Sequence, residues 1–292
     1  MFLKLECDRS STHRIMSNIP RSHRPWFYPL ITSSVAIGVV VGAPQSAPAA
    51  PLWELLLRGA QVYQLYSVSD KEEVQLGKQI NQQLIGEQFQ LYNNARVNNY
   101  VDRIGQRLAK NSTRPDIPYT FQVVKDDSIN AFATAGGYVY VTTGLLKAAD
   151  NEAQLAGVLA HEIGHIAERH LIEQMRETAI ARGLASAAGL DESTAVQLGV
   201  ELALRRPNSR SDEFQADARG VQTLGKACYA QVAMINFLEK LRSQRSVPTF
   251  LSTHPATGDR IARLEKIIDS QQANRGQGLN ESYYQAQTQP LN

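Results

Sequence analysis

The stretch "LAGVLAHEIGHIAERH", residues 155–170, lies near the middle of this chain and carries its most specific pattern. Its apolar side chains recur at intervals of three and four, which predicts an amphipathic helix with one buried face. The same helix carries His161, Glu162 and His165, which form the pattern H-E-x-x-H. This pattern indicates either a metal site that does chemistry or an incidental pair of histidines one turn apart.

Helix geometry favours the metal site. Residues four apart project from one face, so His161 and His165 can direct their ring nitrogens at one ion about 2.0 to 2.1 Å away. Glu162 lies about 100° round the helix, where it can reach a water on that ion without ligating it. His170 is nine residues past His161, and about 900° of rotation predicts a place on the opposite, surface side of the helix. Metal-assisted hydrolysis requires both kinds of group: His161 and His165 would hold the ion, and Glu162 would act as the general base on the bound water.

A second helix can supply a third ligand. The stretch "NSRSDEFQADARG", residues 208–220, contains Glu213 and Asp217, which lie one turn apart and face the same way. Glu213 would complete a site of two histidines and one glutamate and leave the fourth position for water. Asp217 would accept the free ring N–H of a ligating histidine, for which we favour His161, and so fix its tautomer. The alternative for the two acids is a solvated acidic helix face.

A third stretch, "STHPATGDRIARLEKI", residues 252–267, carries the remaining polar candidates. His254 precedes a proline that suits the start of a helix, and Arg260 lies just over one turn into that helix. Either side chain could donate a hydrogen bond to the oxyanion of a tetrahedral intermediate. His254 could equally ligate the metal in a resting state and silence it. The alternative is that His254 only starts the helix and Arg260 is a surface charge, and spacing alone does not decide.

The segment before the histidines predicts a small sheet. Residues 119–125, "YTFQVVK", alternate in the manner of a strand. Residues 130–144, "NAFATAGGYVYVTTG", predict a hairpin whose turn passes through Gly136 and Gly137.

Helices are predicted for most of the remaining chain. Two precede the sheet, at residues 71–85 and 94–110, and the chain is almost wholly helical from residue 150 onward. The alanine-rich residues 178–204 are interrupted by charged side chains, so they predict two helices and no membrane hairpin. The predicted fold class is α+β, predominantly helical, with a small three-stranded sheet next to the H-E-x-x-H helix.

The ends of the chain differ from its body. Residues 1–49 combine arginines, a short apolar run and an A-x-A exit, which predicts a secretory signal peptide, with Met16 as the suspected true start. An uncleaved membrane anchor is the alternative, although the run is shorter than the roughly 20 residues that a spanning helix needs. Residues 50–270 are predicted to form the metal-binding domain, and the Gln- and Asn-rich residues 271–292 a flexible tail.

Charge and cysteine content exclude two further features. The net charge of +2 comes from residues 1–49, which carry five basic and two acidic side chains, whereas the remaining chain has a net charge of −1. A nucleic-acid partner therefore has no electrostatic support. Cys228 is the only cysteine beyond residue 49, so the mature chain can form no internal disulfide.

Together these stretches resemble the HtpX and CaaX-endopeptidase superfamily of zinc metallopeptidases, and within it the exported BepA-like members. The resemblance runs from about residue 69 to residue 268 and also includes "VSDKEEVQLGKQI", residues 68–80. It implies a gluzincin-like fold, one Zn2+ per chain with Glu213 as third ligand, and a role for His254 and Arg260 beside the active site. BepA-like proteins add a repeat domain that this chain is expected to lack, so a role in outer-membrane assembly is not carried over.

The resemblance implies an exported zinc metalloendopeptidase of protein quality control, which hydrolyses unfolded or misassembled proteins in the periplasm or another extracytoplasmic compartment. The stretch "GGYVYV" resembles the edge strand against which such enzymes lay an extended peptide. Substrate recognition is therefore expected at Gly137, Tyr138, Val139 and Tyr140. No spanning helix is expected in the mature chain, while peripheral membrane contact is compatible with the sequence.

Two other functions compete with this interpretation. The first is a latent protease that acts mainly as a zinc-bound chaperone or adaptor for unfolded clients. The second is a purely structural metal site, which is disfavoured because structural zinc sites are usually cysteine-rich and closed.

Overall fold

The computed structural model describes residues 62–63, 65–183, 190–205, 207–255, 257–268 and 275–291. The predicted signal peptide lies outside the described residues. Within these ranges the chain folds into packed helices with a small sheet among them.

Short strands and longer helices make up these described ranges. The strands are β1 (Val62–Tyr63), β2 (Thr120–Val124), β3 (Ala131–Ala133), β4 (Tyr138–Thr142) and β5 (Leu190–Asp191). The helices are α1 (Asp70–Gln83), α2 (Ala95–Ala109), α3 (Thr143–Ala148), α4 (Glu152–Ala167), α5 (His170–Ala181), α6 (Glu192–Arg205), α7 (Arg210–Lys226), α8 (Val232–Arg242), α9 (Thr249–Thr253), α10 (Thr257–Ile267) and α11 (Glu281–Thr288). A π-helical turn (Leu84–Gln88) follows α1, and 3-10 turns lie at Ala135–Gly137 and Gln289–Leu291.

These elements agree with the predicted architecture. The two helices predicted ahead of the sheet correspond to α1 and α2, and the helix with H-E-x-x-H is α4. The predicted fold class, a mainly helical α+β domain with a small three-stranded sheet beside α4, is confirmed. None of the described helices is both long and apolar enough to cross a membrane.

The three-stranded sheet has the order β2-β4-β3. Strand β2 runs parallel to β4, with Thr120 opposite Tyr138, and β3 runs antiparallel to β4, with Phe132 opposite Tyr140. Because β4 has a neighbour on each side, the prediction that residues 137–140 form the edge strand is wrong. The sequence reveals the β3–β4 hairpin, but it does not reveal that β2 pairs with the far side of β4 and leaves β3 at the edge.

Helix α4 lies at the centre of the fold. Its start is capped by the Asn151 side chain, which accepts a hydrogen bond of 3.0 Å from the Gln154 N–H. Every residue of the helix from position 153 to 166 is buried. The helix packs against β3 and also against α7, so the two helices that carry the predicted ligands are in direct contact.

Glycines set how closely α4 and α7 approach. A Cβ atom built on Gly164 would lie 2.6 Å from the carbonyl oxygen of Ala216, and one built on Gly220 would lie 3.2 Å from the backbone nitrogen of His161. Real side-chain carbons do not come as close as 2.6 Å to a backbone oxygen. A side chain at Gly164 would therefore push the ligand-bearing helices apart.

We expect Gly164→Ala to lower the free energy of unfolding by about 3 kcal/mol, because the added methyl group meets backbone that cannot rotate away. Urea unfolding of the purified protein measures this. Gly258→Ala is the matched control, since this glycine is also helical and a Cβ there has no atom within 4 Å. Equal stability of the two variants would contradict the close packing of α4 on α7.

The C-terminal segment is packed against the body of the protein. Tyr284 on α11 is 2% exposed, and its hydroxyl donates a hydrogen bond of 2.7 Å to the Leu146 carbonyl. The Tyr92 hydroxyl donates to the Pro290 carbonyl at 2.6 Å. The prediction of a flexible tail is therefore wrong for residues 275–291. Although this segment is polar on average, a few of its apolar side chains are buried, and they hold the short helix α11 against the body of the protein.

Candidate metal centre

Three predicted ligands meet in the buried space between α4 and α7. The Nε2 atoms of His161 and His165 are 3.1 Å apart. The Glu213 carboxylate lies 3.4 Å from each of them, with Oε2 facing His161 and Oε1 facing His165. All three side chains are at most 7% exposed.

His254 joins this group as a fourth member. It follows α9 directly, and its ring stacks on Phe250 with ring centroids 4.5 Å apart. Its Nδ1 lies 3.3 Å from His161 Nε2 and 3.2 Å from Glu213 Oε1. The structure therefore excludes the alternative that His254 only starts a helix, because its ring lies among the predicted ligands.

The donor set fits one tetrahedral metal ion. Ligand atoms held about 2.0 to 2.1 Å from a tetrahedral centre are roughly 3.3 Å from one another. The closest separations in the cluster of His161, His165, Glu213 and His254 are 3.1 to 3.4 Å, and their ligand atoms all lie within 4.8 Å of one another. Imidazole nitrogens combined with a carboxylate oxygen are donors that divalent transition metals, zinc included, commonly accept.

Asp217 and Arg260 form a buried ion pair behind the ligands. Asp217 Oδ1 lies 2.9 Å from His161 Nδ1, which is the predicted contact, and fixes the ring so that Nε2 faces the cluster. Arg260 donates to both carboxylate oxygens of Asp217 at 2.8 and 2.7 Å. Burial alone would raise the pKa of Asp217, but the neighbouring guanidinium outweighs this and lowers it to about 2.

The structure places Arg260 differently from either sequence-based alternative. It is 1% exposed, so it is not a surface charge. Its Nη1 lies 2.7 Å from Glu213 Oε2 and donates to the His254 carbonyl at 3.3 Å. Its Nε and Nη2 face Asp217, and Nη2 also lies 3.3 Å from His161 Nδ1, so the guanidinium is directed at protein groups around the ligands. The geometry therefore favours a role in holding the ligands over the predicted donation to an oxyanion.

The Glu162 carboxylate stands beside the ligands without a hydrogen bond to any of the described residues. It is fully buried, and within the described residues neither carboxylate oxygen has a hydrogen-bond partner. The nearest basic atom is His254 Nε2, 3.5 Å from Oε1. Burial raises the pKa of Glu162 above its ordinary value. An unpaired buried carboxylate is costly, and this one is placed and tuned to accept a proton from a small molecule in the site.

The prediction that His170 is a surface residue is wrong. Helix α4 ends before Arg169, which adopts a left-handed conformation with φ 60° and ψ 32°, and α5 begins at His170. The rotation counted along one continuous helix therefore does not apply. His170 is 4% exposed, and its Nδ1 lies 2.8 Å from the Nδ1 of His165.

Asn208 is a site residue that the sequence did not indicate. Its amide Nδ2 lies 3.4 Å from His165 Nε2 and 3.3 Å from His254 Nδ1. Its Oδ1 accepts a hydrogen bond of 2.7 Å from the Gln174 side chain. Asn208 precedes α7 in a connection without periodicity, so no pattern pointed to it.

A cavity of about 50 Å³ opens beside these residues. It is lined on one side by Glu162, His165 and His254, and on the other by residues 132–135, which include the end of β3. Strand β3, which is one of the two edge strands of the sheet, therefore borders the metal cluster.

Strand β3 directs part of its backbone away from β4. The Thr134 N–H donates to the Tyr138 carbonyl and the Thr142 N–H to the Asn130 carbonyl. In an antiparallel pair only alternate residues bond to the neighbour, so Ala131 and Ala133 point their N–H and C=O groups outward. The outward carbonyl of Ala131 lies 3.4 Å from His254 Nε2.

The chain is similar in sequence to known peptidases. The sequence model of peptidase family M48 matches residues 95–268. The chain is 32% identical over 213 residues to the beta-barrel assembly-enhancing protease of Escherichia coli, which covers 67% of this chain and 44% of that protein. It is 34% identical over 185 residues to the protein of the same name in Yersinia pestis, covering 56% of this chain and 37% of that protein.

A eukaryotic relative shares the same region. The chain is 30% identical over 183 residues to the mitochondrial metalloendopeptidase OMA1 of Schizosaccharomyces pombe, covering 60% of this chain and 54% of that protein. The matches to the two bacterial proteins span less than half of their length.

Proposed function

Because the chain belongs to peptidase family M48, we propose that it is a zinc-dependent endopeptidase that hydrolyses peptide bonds of unfolded or misassembled proteins outside the cytoplasm. The observation that carries the proposal is the unpaired, buried carboxylate of Glu162 beside a donor set with tetrahedral spacing. Membership of this family confirms the resemblance to zinc metallopeptidases that the sequence motifs indicated.

His161, His165 and Glu213 would hold the metal, which when bound supplies a polarised water and a Lewis acid for the scissile carbonyl. Glu162 takes the proton from the attacking water and delivers it to the leaving amine. Asp217 holds the His161 ring from behind, and Arg260 neutralises the carboxylates of Asp217 and Glu213. All of these residues are buried, so the surrounding packing restrains their geometry.

The structure supports a different substrate strand from the one expected. We propose that an extended peptide pairs with the outer edge of β3 at Ala133, whose main-chain groups face away from β4 and which lines the cavity. Main-chain pairing tolerates many sequences, which suits an enzyme that acts on unfolded chains. Residues 137–140 would support this strand from inside the sheet instead of contacting the substrate.

The names of the bacterial relatives support a role in protein quality control, since they describe proteases that enhance beta-barrel assembly. The extracytoplasmic location is supported by the signal-like composition of residues 1–49.

The position of His254 supports a resting state in which the peptidase is latent. Its Nδ1 occupies the fourth corner of the donor set, where water is needed for hydrolysis. The same ring is held from behind by the Ala131 carbonyl. A protein kept in this state would bind clients and rarely cut them, which is the chaperone or adaptor function.

We expect His254→Ala to raise the rate of casein cleavage several-fold, because it frees the corner of the donor set that Nδ1 occupies. Thr253→Ala is the control, since this neighbour lies outside the donor cluster. A fall in cleavage that leaves zinc content unchanged would contradict latency and favour the oxyanion role of His254 instead.

The proposal is tested by zinc analysis and digestion of unfolded casein, performed on the wild type and on Glu162→Gln in parallel. One zinc per chain in both proteins and cleavage only by the wild type are expected. A metal-free wild type would overturn the assignment.

A further inference from the structure

A chain of three side chains extends outward from the ligand His165. Its Nδ1 lies 2.8 Å from Nδ1 of His170, with the two rings inclined at 70°. The Nε2 of His170 lies 3.0 Å from Oε1 of Gln215. Gln215 is on α7, midway between Glu213 and Asp217, whereas His170 is the first residue of α5.

Hydrogen bonding along this chain has a direction. Of two ring nitrogens that share a hydrogen bond, one carries the proton and the other accepts it. If Nε2 of His165 is to bind a metal, its proton must reside on Nδ1, and Nδ1 of His170 must accept it. His170 then carries its own proton on Nε2 and donates it to the Gln215 oxygen.

The opposite direction would disable the site. A donor in place of the Gln215 oxygen would put the His170 proton on Nδ1, and His165 would then have to accept there. The remaining proton of His165 would lie on Nε2, among the other ligand atoms. With the Gln215 oxygen facing His170, as it does here at 3.0 Å, the chain of hydrogen bonds leaves a lone pair on His165 Nε2 for the metal.

We propose that His170 and Gln215 are positioning residues that fix the tautomer of His165, so that its Nε2 lone pair faces the metal. The inference rests on the proposed metal site. The tautomer of His161 is fixed in the same way by the Asp217 carboxylate. The two histidine ligands are therefore oriented by chemically different partners. The relay from His165 is uncharged, which matters in a site that already holds Glu162, Glu213 and Asp217.

The first test is the zinc affinity of variants, measured by competition with a chromophoric chelator. We expect His170→Leu, which removes the acceptor but fills the space, to weaken zinc binding by about 10- to 100-fold. His170→Asn should stay close to the wild type, since its side-chain oxygen can stand where Nδ1 accepts. Gln215→Glu should retain binding because it offers only acceptors, whereas Gln215→Lys should weaken it because it offers only donors.

The second test uses only the wild-type protein. Long-range 1H–15N correlation spectra of the metal-free wild type report which ring nitrogen carries each proton. We expect protons on Nδ1 of His165 and on Nε2 of His170. The reverse assignment, or folded His170→Leu that binds zinc as tightly as the wild type, would overturn the inference.

Failure of the inference can be told apart from failure of the metal site. If the wild type binds zinc and cleaves casein while His170→Leu matches it in affinity, only the relay is wrong. If the wild type binds no zinc, the proposed function fails and the relay fails with it.

Discussion

Replacing Glu162 with glutamine should reduce kcat/KM for peptide cleavage by about 10²- to 10⁴-fold while zinc remains bound, because a positioned general base contributes on this scale. The amide has nearly the shape of the carboxylate, so the packing of α4 is retained. It cannot take a proton from water, and so the reaction loses its base and its route for protonating the leaving amine. Cleavage of a fluorogenic peptide measures the loss.

A matched control separates chemistry from folding and metal binding. Glu168→Gln, near the end of the same helix, serves this purpose, since this residue pairs with Arg219 outside the donor cluster. It should cleave peptide at the wild-type rate. Casein digestion by Glu162→Gln at an undiminished rate would remove Glu162 from its role, whatever the metal content.

Replacing Arg260 with methionine should lower the free energy of unfolding of the metal-free protein by about 3 to 5 kcal/mol, the cost of breaking a buried ion pair on one side. Arg260 contacts two buried carboxylates, Asp217 and Glu213, which would be left without their cation. Methionine fills much of the same space, so the loss reports charge more than volume. Urea unfolding with the metal removed measures it.

Zinc should offset part of this loss, because the ion binds the folded state and supplies positive charge beside Glu213. Adding Asp217→Asn to Arg260→Met should recover further stability, since it removes one of the two buried carboxylates that the single variant leaves without a cation. Arg263→Met is the control: it lies on the same helix, over the ring of Phe214, and should cost less than about 1 kcal/mol. Equal stability of the two single variants would contradict the ion-pair role of Arg260.

Patterns within single elements predicted much of this protein. The H-E-x-x-H spacing placed His161 and His165 on one face of α4, and the four-residue spacing of Glu213 and Asp217 placed both on one face of α7. Strand alternation and the glycine turn predicted the hairpin of β3 and β4. These predictions needed only the fixed rotation per residue of a helix and the two-residue period of a strand.

What the sequence left open depends on contacts between distant residues. Whether Arg260 faces solvent or the ligands is decided by the packing of α10 on α7. The docking of α11 depends on a few buried side chains such as Tyr284. The average composition of the segment does not indicate them.

Local periodicity in the sequence is enough to predict helix α4 with His161 and His165, the Glu213 and Asp217 pair on α7, and the fold class. Contacts between distant parts of the chain place β3 at an edge of the sheet, put His254 at the fourth corner of the donor set and turn His170 towards His165. A single left-handed residue, Arg169, turns His170 inward. Such a conformation is held by the surrounding packing and has no period from which it could be predicted.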